Sequence, residues 1–298
     1  MHAAAWFKAA CVICGLVILV EGFLRSSKLL WARFIVDIDT YSRKDLLSWM
    51  TFVLVTVSFW FFSLWYLFLD FFMKPKWLHS FKIQKNRNSP LSTRMFARAL
   101  FWVLFNQFVV TGLFLVFVGE PLLEWSGCKT GISDFPTTLI LLRDFVIIFA
   151  VEEILFYYAH VALHSNILYE PIHKMHHEWT APISITAVYS HPLEHILSNL
   201  IPITAGPVLA RSHIVTTWLW FLIATFSTIH SHSGYHLPFF ASPEAHDYHH
   251  RRFSCNYGVF GILDALHGTD KIFKSSDRYP LHVTFFEIDS PLIRLIQQ

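Results

Sequence analysis

Residues 47–73 run almost without interruption through leucine, valine, phenylalanine and tryptophan, with Asp70 the only charged side chain. A bilayer is crossed by about 20 apolar residues in a helix, and a backbone in lipid must satisfy its own hydrogen bonds. This run therefore commits the chain to a helical membrane fold. The bulk composition agrees: only 15% of the residues are charged and mean hydropathy is +0.44, against about 25% charged in soluble domains. A formal net charge of +2 gives no reason to expect a nucleic-acid partner.

Further apolar stretches occur at 6–24, 99–119 and 137–158, the last interrupted by Arg143, Asp144, Glu152 and Glu153. Two shorter ones, 196–210 and 214–229, read as a hairpin, broken or separated by Gly206-Pro207 and Arg211. The 6–24 segment has a weak basic start and no small-residue cleavage site, so it is expected to be a retained anchor. The expected fold is all-α: an integral membrane bundle of about four to six segments with a cytosolic, histidine-rich di-metal cap. The expected division is membrane helices at 1–136, a histidine-rich domain at 137–272 and a tail at 273–298. Cys11 and Cys14 form a CxxC inside the first apolar stretch and read as small hydrophobes.

The loop 74–98 holds Lys74, Lys76, Lys82, Lys85, Arg87, Arg94 and Arg98 and no acid. The positive-inside rule places it in the cytosol. Counting spans from there, 120–136 is lumenal and 137–158 returns to the cytosol just before His160. A hairpin starts and ends on one side, so every histidine cluster falls on the cytosolic face.

Those clusters carry the functional reading. Of 18 histidines, 15 lie between His160 and His267. His160 and His164 form an HxxxH; His173, His176 and His177 an HxxHH; His246, His249 and His250 a second HxxHH; His232 and His236 a second HxxxH. Residues three and four apart share a helix face. HxxxH therefore aims two imidazoles one way, and HxxHH pairs its first and third rings with the middle one about 100° away. Eight to ten such ligands are too many for one ion and match two. Imidazole suits iron, zinc, copper or nickel, so the residues leave the metal open. His191 and His195, in HPLEH, are candidate extra ligands or supporting groups. Ligating histidines usually give their second N–H to a carboxylate or carbonyl; Glu153 and Asp247 are the leading acids for this, with Glu178, Glu194, Asp264 and Asp270 behind them. The chain has no GxGxxG, no flavin motif and no serine-hydrolase constellation. Two other classes stay open on the residues alone: a haem-binding membrane protein and a non-enzymatic metal transporter.

The stretches HKMHHEWTAPISITAVYSHPLEH, HSGYHLPF and HDYHH followed by NYGVFGILDALHGTD resemble the fatty acid hydroxylase/sterol desaturase superfamily, in particular its C-4 methylsterol monooxygenase branch. The resemblance covers roughly 140–272. It implies an O2-dependent non-haem di-iron monooxygenase of the endoplasmic reticulum membrane, with two iron ions held by His160, His164, His173, His176, His177, His246, His249 and His250. His232 and His236 match the extra HxxxH of the lipid hydroxylases, although methylsterol monooxygenases tend to have Asp where His236 stands. The implied substrate is a 4-methylsterol oxidised at its C-4 methyl group, with fatty acyl or sphingolipid hydroxylation or desaturation as the alternative. The implied electron donor is cytochrome b5 or its reductase, drawing on NAD(P)H, and the basic loop 74–98 is a candidate dock for it.

Overall fold

The computed structural model describes residues 19–34, 42–88 and 91–286. The CxxC at Cys11 and Cys14, most of the 6–24 anchor and the last twelve residues of the tail lie outside these. The described chain is helical, with one isolated antiparallel bridge between Lys82 and Tyr235 and no strand. Helix α1 covers 19–34. It is followed by α2 (Arg43–Phe72) and α3 (Thr93–Trp125), α4 (Thr138–Leu163), α5 (192–210), α6 (Ile214–His232), α7 (Glu244–Arg252) and α8 (Ile262–His267).

Three of them, α2, α3 and α6, are long and apolar enough to cross a membrane. Helix α2 begins in a capping box, in which Asp45 N–H donates to Ser42 Oγ and Ser42 N–H to the Asp45 carboxylate. Its outward face carries Val57, Phe61, Leu64 and Phe68, all exposed, while Thr51 and Ser63 are fully buried. Apolar side chains face out and small polar ones face in, as expected where the surroundings are lipid.

The same inversion rationalises α4. Its charged residues rule out a simple apolar span, yet Leu139, Leu142, Val146 and Ile154 are exposed, whereas Asp144, Glu152 and Glu153 are buried among other helices. Leu141, Asp144, Ile148 and Glu152 form a buried stripe at helical spacing, and Glu153, Tyr157 and His160 carry the buried surface round the helix to the histidine site.

The hairpin of α5 and α6 differs from the sequence expectation at one point. Helix α5 runs straight through Gly206-Pro207 and stops at Arg211, whose φ of 52° is left-handed. Pro207 lacks the N–H that would bond the Ile203 carbonyl, but Trp220 Nε1 of α6 donates to that carbonyl at 2.9 Å. A neighbouring helix thus satisfies the group that proline frees. Gly206 is needed for packing: a Cβ there would lie 3.0 Å from Ile148 Cα of α4.

Candidate metal centre

Four elements end at one place. The C-terminus of α4 brings His160 and His164; a short 3-10 segment, His173–Glu178, brings three histidines; the end of α6 brings His232; and α7 brings His246, His249 and His250. Among the described residues they form two groups, His160, His164, His173, His177 and His249, and His176, His232, His246 and His250, with the ligand atoms of each group all within 4.8 Å of one another. The division follows the spacing. In each HxxHH the first and third rings (His173 and His177; His246 and His250) enter one group and the middle ring (His176; His249) enters the other. The local structure of the first box differs from the ideal, since it is a 3-10 turn rather than an α-helix.

The rings are aimed by what holds their other nitrogen. Nδ1 of His160 donates to the Tyr257 carbonyl (2.8 Å), His176 to Tyr189 (3.1 Å), His232 to Thr228 (2.8 Å), His249 to Cys255 (2.7 Å) and His250 to Trp179 (3.1 Å). His173 Nδ1 instead lies 3.0 Å from Glu194 Oε1. Each of the five bonds to a carbonyl fixes the tautomer and leaves Nε2 with a lone pair facing inward.

The inward nitrogens then meet one another. In the first group His164 Nε2 lies 2.9 Å from that of His173, 3.2 Å from His177 and 3.3 Å from His249. In the second, His232 lies 3.3 Å from His176 and 2.9 Å from His246, and His250 lies 3.1 Å from His246. His176 and His232 both donate from Nδ1, so neither Nε2 has a proton to share. Their approach is lone pair to lone pair, and a cation between them makes it favourable. Imidazole nitrogens on one ion at about 2.0–2.1 Å stand roughly 3–3.5 Å apart. The donor set therefore fits a metal ion in each group.

Protonation favours the same conclusion. Burial pushes the His176 ring down to about 4, only partly offset by its bond to Tyr189. Burial, with neighbouring imidazoles adding to it, holds His177, His246 and His250 well below the ordinary histidine value. Neutral rings at pH 7 are the form that binds metal.

The remaining candidates lie elsewhere. The structure does not bring His236 into either group: its Nδ1 faces Glu244 (3.3 Å) and its Nε2 the Val283 carbonyl (3.0 Å). Gly234, with φ +74°, turns the chain between His232 and His236, so the second HxxxH is not a continuous helix face. His191 caps α5, accepting from Leu193 N–H. His195 lies one helical turn further on, bonded to Thr111 and Asn199. Asp247 accepts from Gln84 and pairs with Arg251; burial raises its carboxyl to about 6.

Glu153 touches no ring. It accepts the backbone N–H groups of Val259, Phe260 and Leu263 (2.8–3.1 Å), while Asp264 accepts those of Tyr257 and Gly258. Together they fold the 257–263 loop so that the Tyr257 carbonyl meets His160. Gly258 fits between them, since a Cβ there would lie 2.9 Å from Asp264 Oδ2 and 3.0 Å from Glu153 Oε1.

Sequence reasoning ranked Glu194 behind other acids, and among the described residues it is the one carboxylate that comes within 4 Å of a ring nitrogen of the two groups. Its place inside HPLEH, between two histidines already singled out, was the available signal. Backbone carbonyls hold five other rings, and no side-chain pattern marks them.

Comparison with known proteins places this geometry. The fatty acid hydroxylase family model matches residues 145–269, the segment that contains all nine grouped histidines. Fatty acid hydroxylase domain-containing protein 2 of Homo sapiens is 40% identical over 260 residues, covering 85% of this chain and 75% of that one. Very-long-chain aldehyde decarbonylase GL1-11 of Oryza sativa subsp. indica is 32% identical, over 66% of this chain and 76% of its own. A Dictyostelium discoideum protein provisionally named a methylsterol monooxygenase is 31% identical over 80% and 89%. No solved structure gives a significant match. The chain belongs to the fatty acid hydroxylase family of lipid-modifying oxygenases.

Proposed function

We propose that this protein is a di-iron, O2-dependent hydroxylase that oxidises a lipid, with a 4-methylsterol carrying its C-4 methyl group to the site as the substrate. The observation that carries the reading is the double imidazole set at the end of a membrane bundle, together with what lies beneath it. A largely apolar cavity comes near the second group without any of its rings in the lining: Val188 and Thr228 line it, the first next to Tyr189, whose carbonyl holds His176, and the second being the residue whose carbonyl holds His232. A lipid in this slot presents one end to the rings while its body stays among apolar side chains.

Nine histidines supply the ligands, and a bound iron pair would supply O2 activation at a C–H bond. The chain's own contribution is to fix His160, His176, His232, His249 and His250 through their second nitrogens, to keep the rings neutral by burial and to aim the lipid. Electrons then come from outside, from cytochrome b5 or its reductase. The cytosolic loop 74–98 offers exposed Lys74, Lys76, Arg87 and Arg94 to an acidic carrier, although Lys82 is buried in a pair with Asp70 and Arg98 pairs with Glu178. The family resemblance implies the endoplasmic reticulum membrane, and the charge pattern supports an orientation with the histidines facing the cytosol.

The test is reconstitution with cytochrome b5, its reductase and NADPH in vesicles containing a 4-methylsterol, with products read by mass spectrometry and metal by elemental analysis. Two iron per chain and a hydroxylated sterol are expected. Hydroxylation of a fatty acyl or sphingolipid instead would move the substrate class. Bound haem, or zinc with no turnover of any lipid after iron loading, would overturn the reading.

A further inference from the structure

We propose that the cavity carries a polar rung, made by Gln107, Thr111 and His195, that recognises an uncharged hydroxyl on the bound lipid. This rests on the reading of the cavity as the lipid slot.

The backbone supplies the first argument. Helix α3 contains π-helical segments at Phe105–Thr111 and Leu115–Gly119, α2 one at Leu46–Met50 and α5 one at His195–Leu200; the first and last of these face one another across the cavity lining. Such turns are rare and concentrate at functional sites. Here Gln107 and Thr111 come from the first, His195 and Asn199 from the last, and all four line the one cavity.

Hydrogen bonding supplies the second. Asn199 Nδ2 donates to His195 Nδ1 at 3.0 Å, so the ring proton sits on Nε2 and is given to Thr111 Oγ1 at 2.9 Å. The Thr111 hydroxyl keeps its own proton, which finds no acceptor among the described residues. Gln107 Oε1 accepts from Trp60 Nε1 at 2.8 Å, which leaves the amide N–H groups as donors. A donor and a donor-acceptor thus stand together on one wall of a slot whose other polar lining is Asn199, bonded to His195, and the threonines Thr51, Thr204, Thr225 and Thr228; polar side chains are expensive at such depth.

Charge narrows the ligand. No Asp, Glu, Lys or Arg lines the cavity, so a carboxylate head would be buried without a counter-charge. A hydroxyl accepts from Gln107 and Thr111 or donates to the threonine oxygen, and needs none. Sterols and long-chain alcohols both carry that group.

The experiment is lipid binding by the purified full-length protein, which needs neither oxygen nor turnover. The probes are dehydroergosterol, its 3-deoxy analogue and hexadecanol as competitor, and the variants are Thr111→Val and Gln107→Leu. The native protein is expected to bind the hydroxysterol about tenfold more tightly than the deoxy analogue, the size of one or two neutral hydrogen bonds. Either variant lowers that ratio severalfold while keeping affinity for the deoxy analogue. If one variant fails to insert, the other carries the test. Competition by hexadecanol equal to that by the sterol assigns the rung to hydroxyls in general; weaker competition assigns it to sterols. Equal affinity of the native protein for both sterols, or a ratio unchanged in both variants, overturns the proposal. Retained discrimination in a protein that hydroxylates nothing would sink the hydroxylase reading and leave the rung standing.

Discussion

His173 Nδ1 and Glu194 Oε1 lie 3.0 Å apart with both side chains buried, and no other carboxylate touches a ring of the two groups among the described residues. A carboxylate on the far nitrogen fixes the tautomer and raises the basicity of the ligating one. Glu194→Gln keeps the shape and removes the ionisable group. Metal affinity should fall by roughly 10–100-fold, read by titrating iron into the metal-free protein. Unchanged affinity would reduce Glu194 to a packing residue.

The two members of the second HxxxH should behave differently. His232→Ala removes a ring from the second group and should cost that group its ion. His236→Gln keeps hydrogen-bonding capacity toward Glu244 and Val283 and should leave the metal count as in the native protein. Elemental analysis of both variants decides it; loss of metal in His236→Gln would return that residue to the site.

Replacement of His176 or His249 with alanine should abolish product while membrane insertion persists, because each is the middle ring of its box and enters the group opposite its partners. Normal turnover in either variant would remove those rings from the site.

Trp220 and Pro207 should be coupled. Trp220→Phe leaves the Ile203 carbonyl unpartnered, which costs about 1–3 kcal/mol and lowers the thermal midpoint in detergent. Pro207→Ala restores an N–H that can reach the same carbonyl within α5. The double variant should therefore recover part of the loss. Simple additivity of the two effects would show that the indole is held for its packing alone.

Gly258→Ala should act at a distance. The new methyl collides with Glu153 and Asp264, shifts the 257–263 loop and slackens the Tyr257 hold on His160. Weakened iron binding with little change in helix content is expected, by titration and circular dichroism. A variant with native affinity would show that the loop yields without moving the ring.

The amino-acid sequence alone determined the helical membrane class and the pairing of His246 with His250 on α7, because both follow from local periodicity: apolar runs must be helical in lipid, and residues four apart share a face of an α-helix. Tertiary structure decided the rest. Glu194 rather than Glu153 or Asp247 meets a ring, His236 turns away to Glu244, and α5 passes through Gly206-Pro207 because Trp220 and Ile148 are there to receive it. Each of these depends on which groups from distant segments share one buried space. A buried nitrogen or carbonyl takes the nearest partner that packing allows, and no spacing along the chain records that choice.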